Sequence, residues 1–460
     1  MDPTEEWRRP PRWRRWEIWG VAAVIAVAGA LRFHEFTLAP VLADNQDPLQ
    51  FGWAGLTLIT KHVPYAWEYF SAYHYEVYRY SNGDLYNLTH PWLNHPPLFS
   101  LLIGGWAYLL GARELGDVTL SMIRPVAIIL GLISMYLAYI LGRRVLGSRA
   151  TMVGLVLLAV SPGAVLLGRE VETEALLAPM LLGGLILVHR LHTGEGGRLE
   201  VGGVVALCLL MPLVKVSGVV LAGGLAVVLI ASGRWRLAAA SVLAGAAGFG
   251  LFAVYGALFD FNLWLAVLAE WQTHRHGLMA GFEFLSDNAG IGRTFHDGWW
   301  LLGLLGLGAI IVRGRTGPRP MLLATTVAVY AAGMTAIGDV LVQGRYAWYR
   351  IVLYPILYTV AGYLVWQSVK RPSVPGLLLV LVLGGATAFT AINGKLFTPN
   401  PYLLVAVVSL GVLPAAIMLW RSESSGWPRI AQASAAALML AVVAASIVES
   451  WNLAQIYRQI

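Results

Sequence analysis

With 460 residues, 58% of them hydrophobic and only 12% charged, the chain lies outside the composition of a soluble globular domain and inside that of a polytopic helical membrane protein. Its formal charge of +7 comes largely from arginines placed to orient membrane spans, so it implies no nucleic-acid partner. The single cysteine, Cys208, sits in an apolar run, which excludes an intramolecular disulfide and a thiolate metal site.

The chain opens on a basic segment, residues 1–16, with Arg8, Arg9, Arg12, Arg14 and Arg15. The first predicted transmembrane helix, 17–33, follows. Its layout is that of a signal peptide, yet a start-transfer anchor is expected, because cleavage would cut the next loop from its membrane tether. That loop, 34–121, is expected to lie outside and to carry the chemistry, with interfacial helices over 49–59 and 97–110. The second of these is too short to cross about 30 Å of hydrocarbon. Predicted spans two to seven occupy 122–257 (122–142, 150–168, 174–190, 200–214, 217–232 and 237–257). A second outer loop covers 258–297. Predicted spans eight to thirteen occupy 298–448 (298–312, 320–337, 351–368, 375–392, 401–420 and 430–448), and 449–460 form an outer tail. The fold class is therefore all-α, a polytopic membrane protein of about 13 transmembrane helices with interfacial helices on its outer face.

Alternate connectors carry the bases: Arg143, Arg144 and Arg149; Arg190 and Arg198; Arg234 and Arg236; Arg313, Arg315 and Arg319; Lys370 and Arg371; Arg421 and Arg429. By the positive-inside rule these loops and the N-terminus are cytoplasmic and the C-terminus is outside. Eight of the ten histidines (34, 62, 74, 90, 95, 274, 276 and 296) and about 18 of the 25 acidic residues then face outward. Depletion of bases explains an acidic excess but not the histidines. A site at the outer surface follows.

Asp44 and Asp47 lie just past the first span, at headgroup depth, where a carboxylate can act as a general base toward an attacking hydroxyl; equally, Asp47 can cap the helix and Asp44 be solvated. In His95-Pro96-Pro97 the prolines forbid helix before Pro97 and hold the imidazole at a defined place, from which it can donate to a phosphate oxygen or simply mark the helix boundary. Arg345, Tyr346 and Arg350 near the outer end of span ten suit phosphate binding as well as interfacial anchoring. Of Glu170, Glu172 and Glu174, the first and last can share a helix face and contact a substrate or cation. Lys215, in apolar sequence, needs an ion pair, a snorkelling path or a lipid phosphate.

The order of motifs is similar to a known family. The early loop aspartate and His95-Pro96-Pro97-Leu98 come first. Next are Arg124-Pro125, Gly142-Arg143-Arg144-Val145-Leu146-Gly147, Ser161-Pro162, Arg169-Glu170, Arg345-Tyr346 and Tyr354-Pro355. Together they resemble the membrane-embedded GT-C glycosyltransferases, in the branch of protein O-mannosyltransferases and aminoarabinose (lipid A) transferases, most closely over about residues 20–180. The resemblance implies an inverting transfer of sugar from a polyprenyl-monophosphate donor to an acceptor hydroxyl on lipid, protein or glycan at the outer face of the cytoplasmic membrane. By the family spacing to a turn at Pro64, Asp47 rather than Asp44 takes the position of the base. His95, Lys215, Arg345 and Arg350 would steady the departing phosphate. Pro48 stands where the family often has Glu, which removes half of a metal-binding Asp-Glu pair. No cofactor is expected to be required, and a zinc or calcium site on the outer face stays open. A transporter or lipid flippase, or a non-catalytic scaffold of the same fold, is the alternative.

Overall fold

Apolar runs in hydrocarbon have no water to satisfy their backbone, so each must close its own hydrogen bonds as helix. The computed structural model describes residues 13–42, 45–81, 83–273, 298–312, 318–337, 347–371 and 427–459, with a few positions between 373 and 382. In chain order the elements are α1 (Arg15–Phe33), α2 (Asp47–Thr60), β1 (Ala66–Trp67), β2 (Glu76–Arg79), β3 (Leu85–Thr89), α3 (Pro97–Leu109), α4 (Leu120–Val145), α5 (Ser148–Val160), α6 (Pro162–Leu167), α7 (Glu174–His192), α8 (Arg198–Val214), α9 (Gly218–Ala231), α10 (Trp235–Phe259), α11 (Phe261–Thr273), α12 (Trp299–Val312), α13 (Pro318–Ile337), α14 (Tyr354–Lys370), α15 (Trp427–Trp451) and α16 (Leu453–Gln459). The segments 49–59 and 97–110 and every expected span coincide with helix, except 401–420 and most of 375–392, which lie outside the described residues. Among the described residues, α1, α4, α7, α10 and Gln432–Trp451 of α15 are long and apolar enough to cross a bilayer.

Three features depart from the sequence expectation. The third span is broken: Ser161 is extended (φ −63, ψ 124) and Pro162 opens α6, since proline disfavours helix in the residue before it and cannot donate to the turn behind it. The segment between α1 and α4 contains an antiparallel sheet in the order β1-β3-β2, with Tyr78 opposite Tyr86. Tyr78, Tyr80 and Tyr86 pack around Trp53 of α2, which makes the sheet a cover for that helix. Finally, α11 and α16 are helices in segments expected as loop and tail.

The bundle has two chemically distinct ends. At one, Arg143 pairs with Glu17 at 2.9 Å, Arg144 with Glu195 at 3.3 Å and Arg190 with Glu200 at 3.0 Å, so the arginine-rich connectors gather. At the other, His34 stacks on Trp451 with ring centroids 3.7 Å apart. Arg124 donates to the carbonyls of Phe36 and Pro40, and Arg169 to those of Leu31, His34 and Ala39. Arg32 reaches Leu158, Ala159 and Ala164. These buried guanidiniums donate to backbone carbonyls and tie the segment after α1 to the α5–α6 break.

Helices α2 and α3, which carry the two loop signatures, cross backbone to backbone. A Cβ on Gly55 would stand 1.7 Å from Ser100 O, and one on Gly104 2.1 Å from Leu56 N. Gly104→Ala should therefore push α2 off α3, costing about 1–3 kcal/mol as overpacking does. The measurement is thermal unfolding in detergent. Gly223→Ala, inside α9 where an added methyl meets open space, should hold or raise the melt, since Ala favours helix over Gly.

Candidate active site

Asp47 is the first residue of α2, and Asn45 sets it there. The Asn45 Oδ1 accepts the Asp47 N–H at 3.0 Å, a side-chain turn that starts the helix, and Pro48 suits the first turn because its missing N–H has no intrahelical partner. The Oδ1 contact fixes the amide orientation, so the Nδ2 must face the opposite way. It donates to Glu170 Oε2 at 3.1 Å and to Glu172 Oε1 at 2.8 Å. Glu172 in turn shares a hydrogen bond with the Asp47 carboxylate, and two carboxyl groups bond only when one of them holds a proton.

Glu170, Glu172 and Glu174 do not share a helix face. The first two lie in the link between α6 and α7, and Glu174 is the first residue of α7. All three are buried. Glu174 Oε1 pairs with Lys215 Nζ at 2.7 Å, and Thr173 Oγ1 donates to its other oxygen at 2.8 Å. Lys215 sits at the end of α8 with extended backbone, and its ammonium lies 4.1 Å from the Tyr349 ring centroid. Of the partners open to Lys215, the structure supplies an ion pair. Arg350, next to Tyr349 in the 3-10 turn Ala347–Arg350, is buried with its guanidinium 4.7 Å from the Trp300 ring centroid.

Electrostatics follow from this enclosure. Burial, with Lys215 opposing it, raises the Asp47 carboxyl to about 6. Burial together with the nearby Asp47 and Glu174 pushes Glu172 well above the carboxylate range, and burial penalises the anion most in the more enclosed member of the pair. Asp47 retains partial solvent access while Glu172 has 2%. Burial, then repulsion from Lys215, lowers His95 to about 3. The imidazole is therefore neutral and lies among Phe51, Trp92 and Trp271 at centroid distances of 5.3, 5.5 and 6.2 Å. Glu68, raised by burial to about 7, accepts from Tyr69 N at 2.9 Å and Trp92 Nε1 at 3.2 Å and also from Asn94. Trp271 of α11 donates to the Asn94 Oδ1.

A mostly apolar cleft, with Arg32 in its lining, lies one residue along the chain from Glu174 and from Arg350. It is walled by Leu158, Ala164, Ala175, Ala178, Tyr354 and Pro355, and Ala175 adjoins Glu174. The arrangement thus joins a raised carboxylate and a fixed ammonium.

Residues 94–258 match the sequence model of the family described as dolichyl-phosphate-mannose-protein mannosyltransferase. No curated protein sequence matches the chain. Among solved structures, it is similar to ArnT from Cupriavidus metallidurans bound to undecaprenyl phosphate, at 14% identity over 96% of this chain and 78% of that one, with a TM-score of 0.57. It is also similar to the oligosaccharyltransferase of Archaeoglobus fulgidus in the apo form, at 13% identity over 96% of this chain and 56% of that one, TM-score 0.51. The chain has a GT-C fold. A third similar structure is AglB from Archaeoglobus fulgidus in complex with an inhibitory peptide and a dolichol-phosphate, with 13% identity, 96% and 56% coverage and a TM-score of 0.50. The chain spans just over half the length of these archaeal enzymes.

On this GT-C scaffold the structure brings together Asp47, Glu170, Glu174 and Lys215 from the sequence-stated set, with His95 facing Lys215 and Arg350 one residue from Tyr349. Asp44, Arg345 and Tyr346 lie outside the described residues, as do His274, His276 and His296. Among the described residues, no group of three or more His, Cys, Asp or Glu side chains is placed to hold a metal ion. Sequence reading assigned no role to Asn45, Glu68, Trp271 or Tyr349 and passed over Glu172. The only available signal was the run Asp44-Asn45-Gln46-Asp47, in which an amide stands next to each acid.

Proposed function

We propose that the chain is an inverting glycosyltransferase that moves a sugar from a polyprenyl monophosphate to an acceptor hydroxyl at the outer face of the cytoplasmic membrane. The observation that carries this reading is the Asp47–Glu172 pair beside Lys215: a carboxylate raised to about 6, partly open to solvent, with a fixed cation opposite. Asp47 takes the proton of the acceptor hydroxyl as its oxygen attacks the anomeric carbon. The bond from that carbon to the phosphate oxygen breaks, and the polyprenyl phosphate leaves with the electron pair. Lys215, with the His95 N–H and Arg350, stabilises the charge that develops there. The cleft by Ala175 and Tyr354 suits an isoprenoid tail. The gathering of basic connectors at the opposite end supports an outward-facing site, and the undecaprenyl phosphate and dolichol-phosphate bound by ArnT and AglB support the donor class.

The test uses proteoliposomes loaded with radiolabelled hexosyl polyprenyl phosphates and a lipid or peptide acceptor extract. Release of free polyprenyl phosphate coupled to label in the acceptor is the expected result. Movement of the intact donor between leaflets without any release identifies a flippase instead. The pH dependence is also set. Since Asp47 works as the deprotonated form, kcat/KM should fall as pH drops through about 6 and be flat above it until another group titrates.

A further inference from the structure

Asn45 makes more contacts in the site than any turn at a helix start requires. Its Oδ1 starts α2 through the Asp47 N–H at 3.0 Å, and each hydrogen of its NH2 is used on a different buried carboxyl, Glu170 at 3.1 Å and Glu172 at 2.8 Å. Because the amide accepts on one side and donates on the other, it cannot flip without losing three hydrogen bonds. It is itself buried, at 6% exposure. Resting on the reading of Asp47 as the base, we propose that Asn45 is a positioning residue: it holds Glu172 against the Asp47 carboxylate, so that Glu172 donates the shared proton and Asp47 stays free to accept one from the nucleophile.

Charged groups surround the pair. Asp47 faces Lys215, Glu174 and Glu68 as well as Glu172. Glu172 faces Asp47, Glu174, Lys215 and Asn45, while Glu170 faces Arg124. His95 faces Lys215. Without the amide, no other hydrogen-bond donor among the described residues holds Glu172 toward Asp47 rather than toward Lys215. Asp47 then loses a donor to its charged form, and its affinity for a proton rises.

Asn45→Ala should lower kcat by about 10-fold or more with donor KM within about twofold, and should move the acid limb of kcat/KM up by about one pH unit, the size expected for a hydrogen bond to a charged group. Asn45→Ser keeps a short oxygen that can accept the Asp47 N–H but lacks the reach to the glutamates, so it should move the limb equally even if Asn45→Ala folds poorly. Glu172→Gln is the complement. Its Oε1 can accept from Asn45 and its Nε2 can donate to Asp47, as protonated Glu172 does, so the limb should stay in place. Loss of rate that is uniform across pH in both Asn45 variants, or no loss at all, overturns the proposal. Full activity in Asp47→Asn would sink the underlying choice of base instead, and that variant is measured alongside.

Discussion

Asp47→Asn should abolish sugar transfer, a loss of about 10²–10⁴-fold for removal of a general base, while the protein still expresses and folds. The amide is nearly isosteric, and its oxygen can still accept the proton offered by Glu172. It cannot take up a proton from a hydroxyl. The variant should also melt at the same or a higher temperature at neutral pH. Asp47 is raised by burial to about 6, above its unfolded value, so ionising it in the folded state costs stability that is fully felt above about 6 and vanishes as pH falls below the unfolded value. The melting difference between variant and parent should therefore close between pH 6 and pH 4. Transfer assays and thermal melts at both pH values check the two halves together. Asp44→Asn in parallel should retain activity; the reverse pattern assigns the base to Asp44.

Lys215→Met should lower kcat by about 10²–10³-fold, the usual loss when one preorganised donor to a developing negative charge is removed. The difficulty is that Lys215 is half of a buried ion pair with Glu174, at 8% and 0% side-chain exposure. Breaking such a pair by deleting one partner costs about 3–5 kcal/mol, because the other charge is left in a low-dielectric site. The double variant Lys215→Met with Glu174→Gln removes both charges and should recover the melting temperature of the parent. If transfer stays low in the refolded double variant, Lys215 acts on the leaving phosphate; if transfer returns, its role is confined to the ion pair.

The difference between these two residues shows how far the primary structure reaches. Asp47 stands out because it follows a basic-apolar anchor and precedes a proline in a loop, all within a few residues. His95 stands out for the same reason, through Pro96 and Pro97. Lys215 is conspicuous as a cation in apolar sequence, but its partner is 41 residues away and no local spacing singles out Glu174. The glutamate triplet misled, because i to i+4 spacing on a helix assumes that the helix is present; α7 begins only at Glu174. Glu172, the residue that touches Asp47, was thereby overlooked. The sheet over α2 escaped because its tyrosines and tryptophans are the residue types that also anchor membrane interfaces.

What the residues settle unaided is the class of molecule: a chain of apolar helices long enough to cross a bilayer, with its bases gathered in alternate connectors. Each of these depends on hydropathy and charge summed over windows of neighbouring residues, which need no knowledge of the fold. Tertiary structure alone decides that Asn45 meets Glu170 and Glu172 across more than 120 positions and that Lys215 meets Tyr349. It also decides that Asp47 is held where its proton affinity is raised. Burial and charge pairing act through space, so a carboxyl group acquires its strength as a base only when remote segments have closed around it.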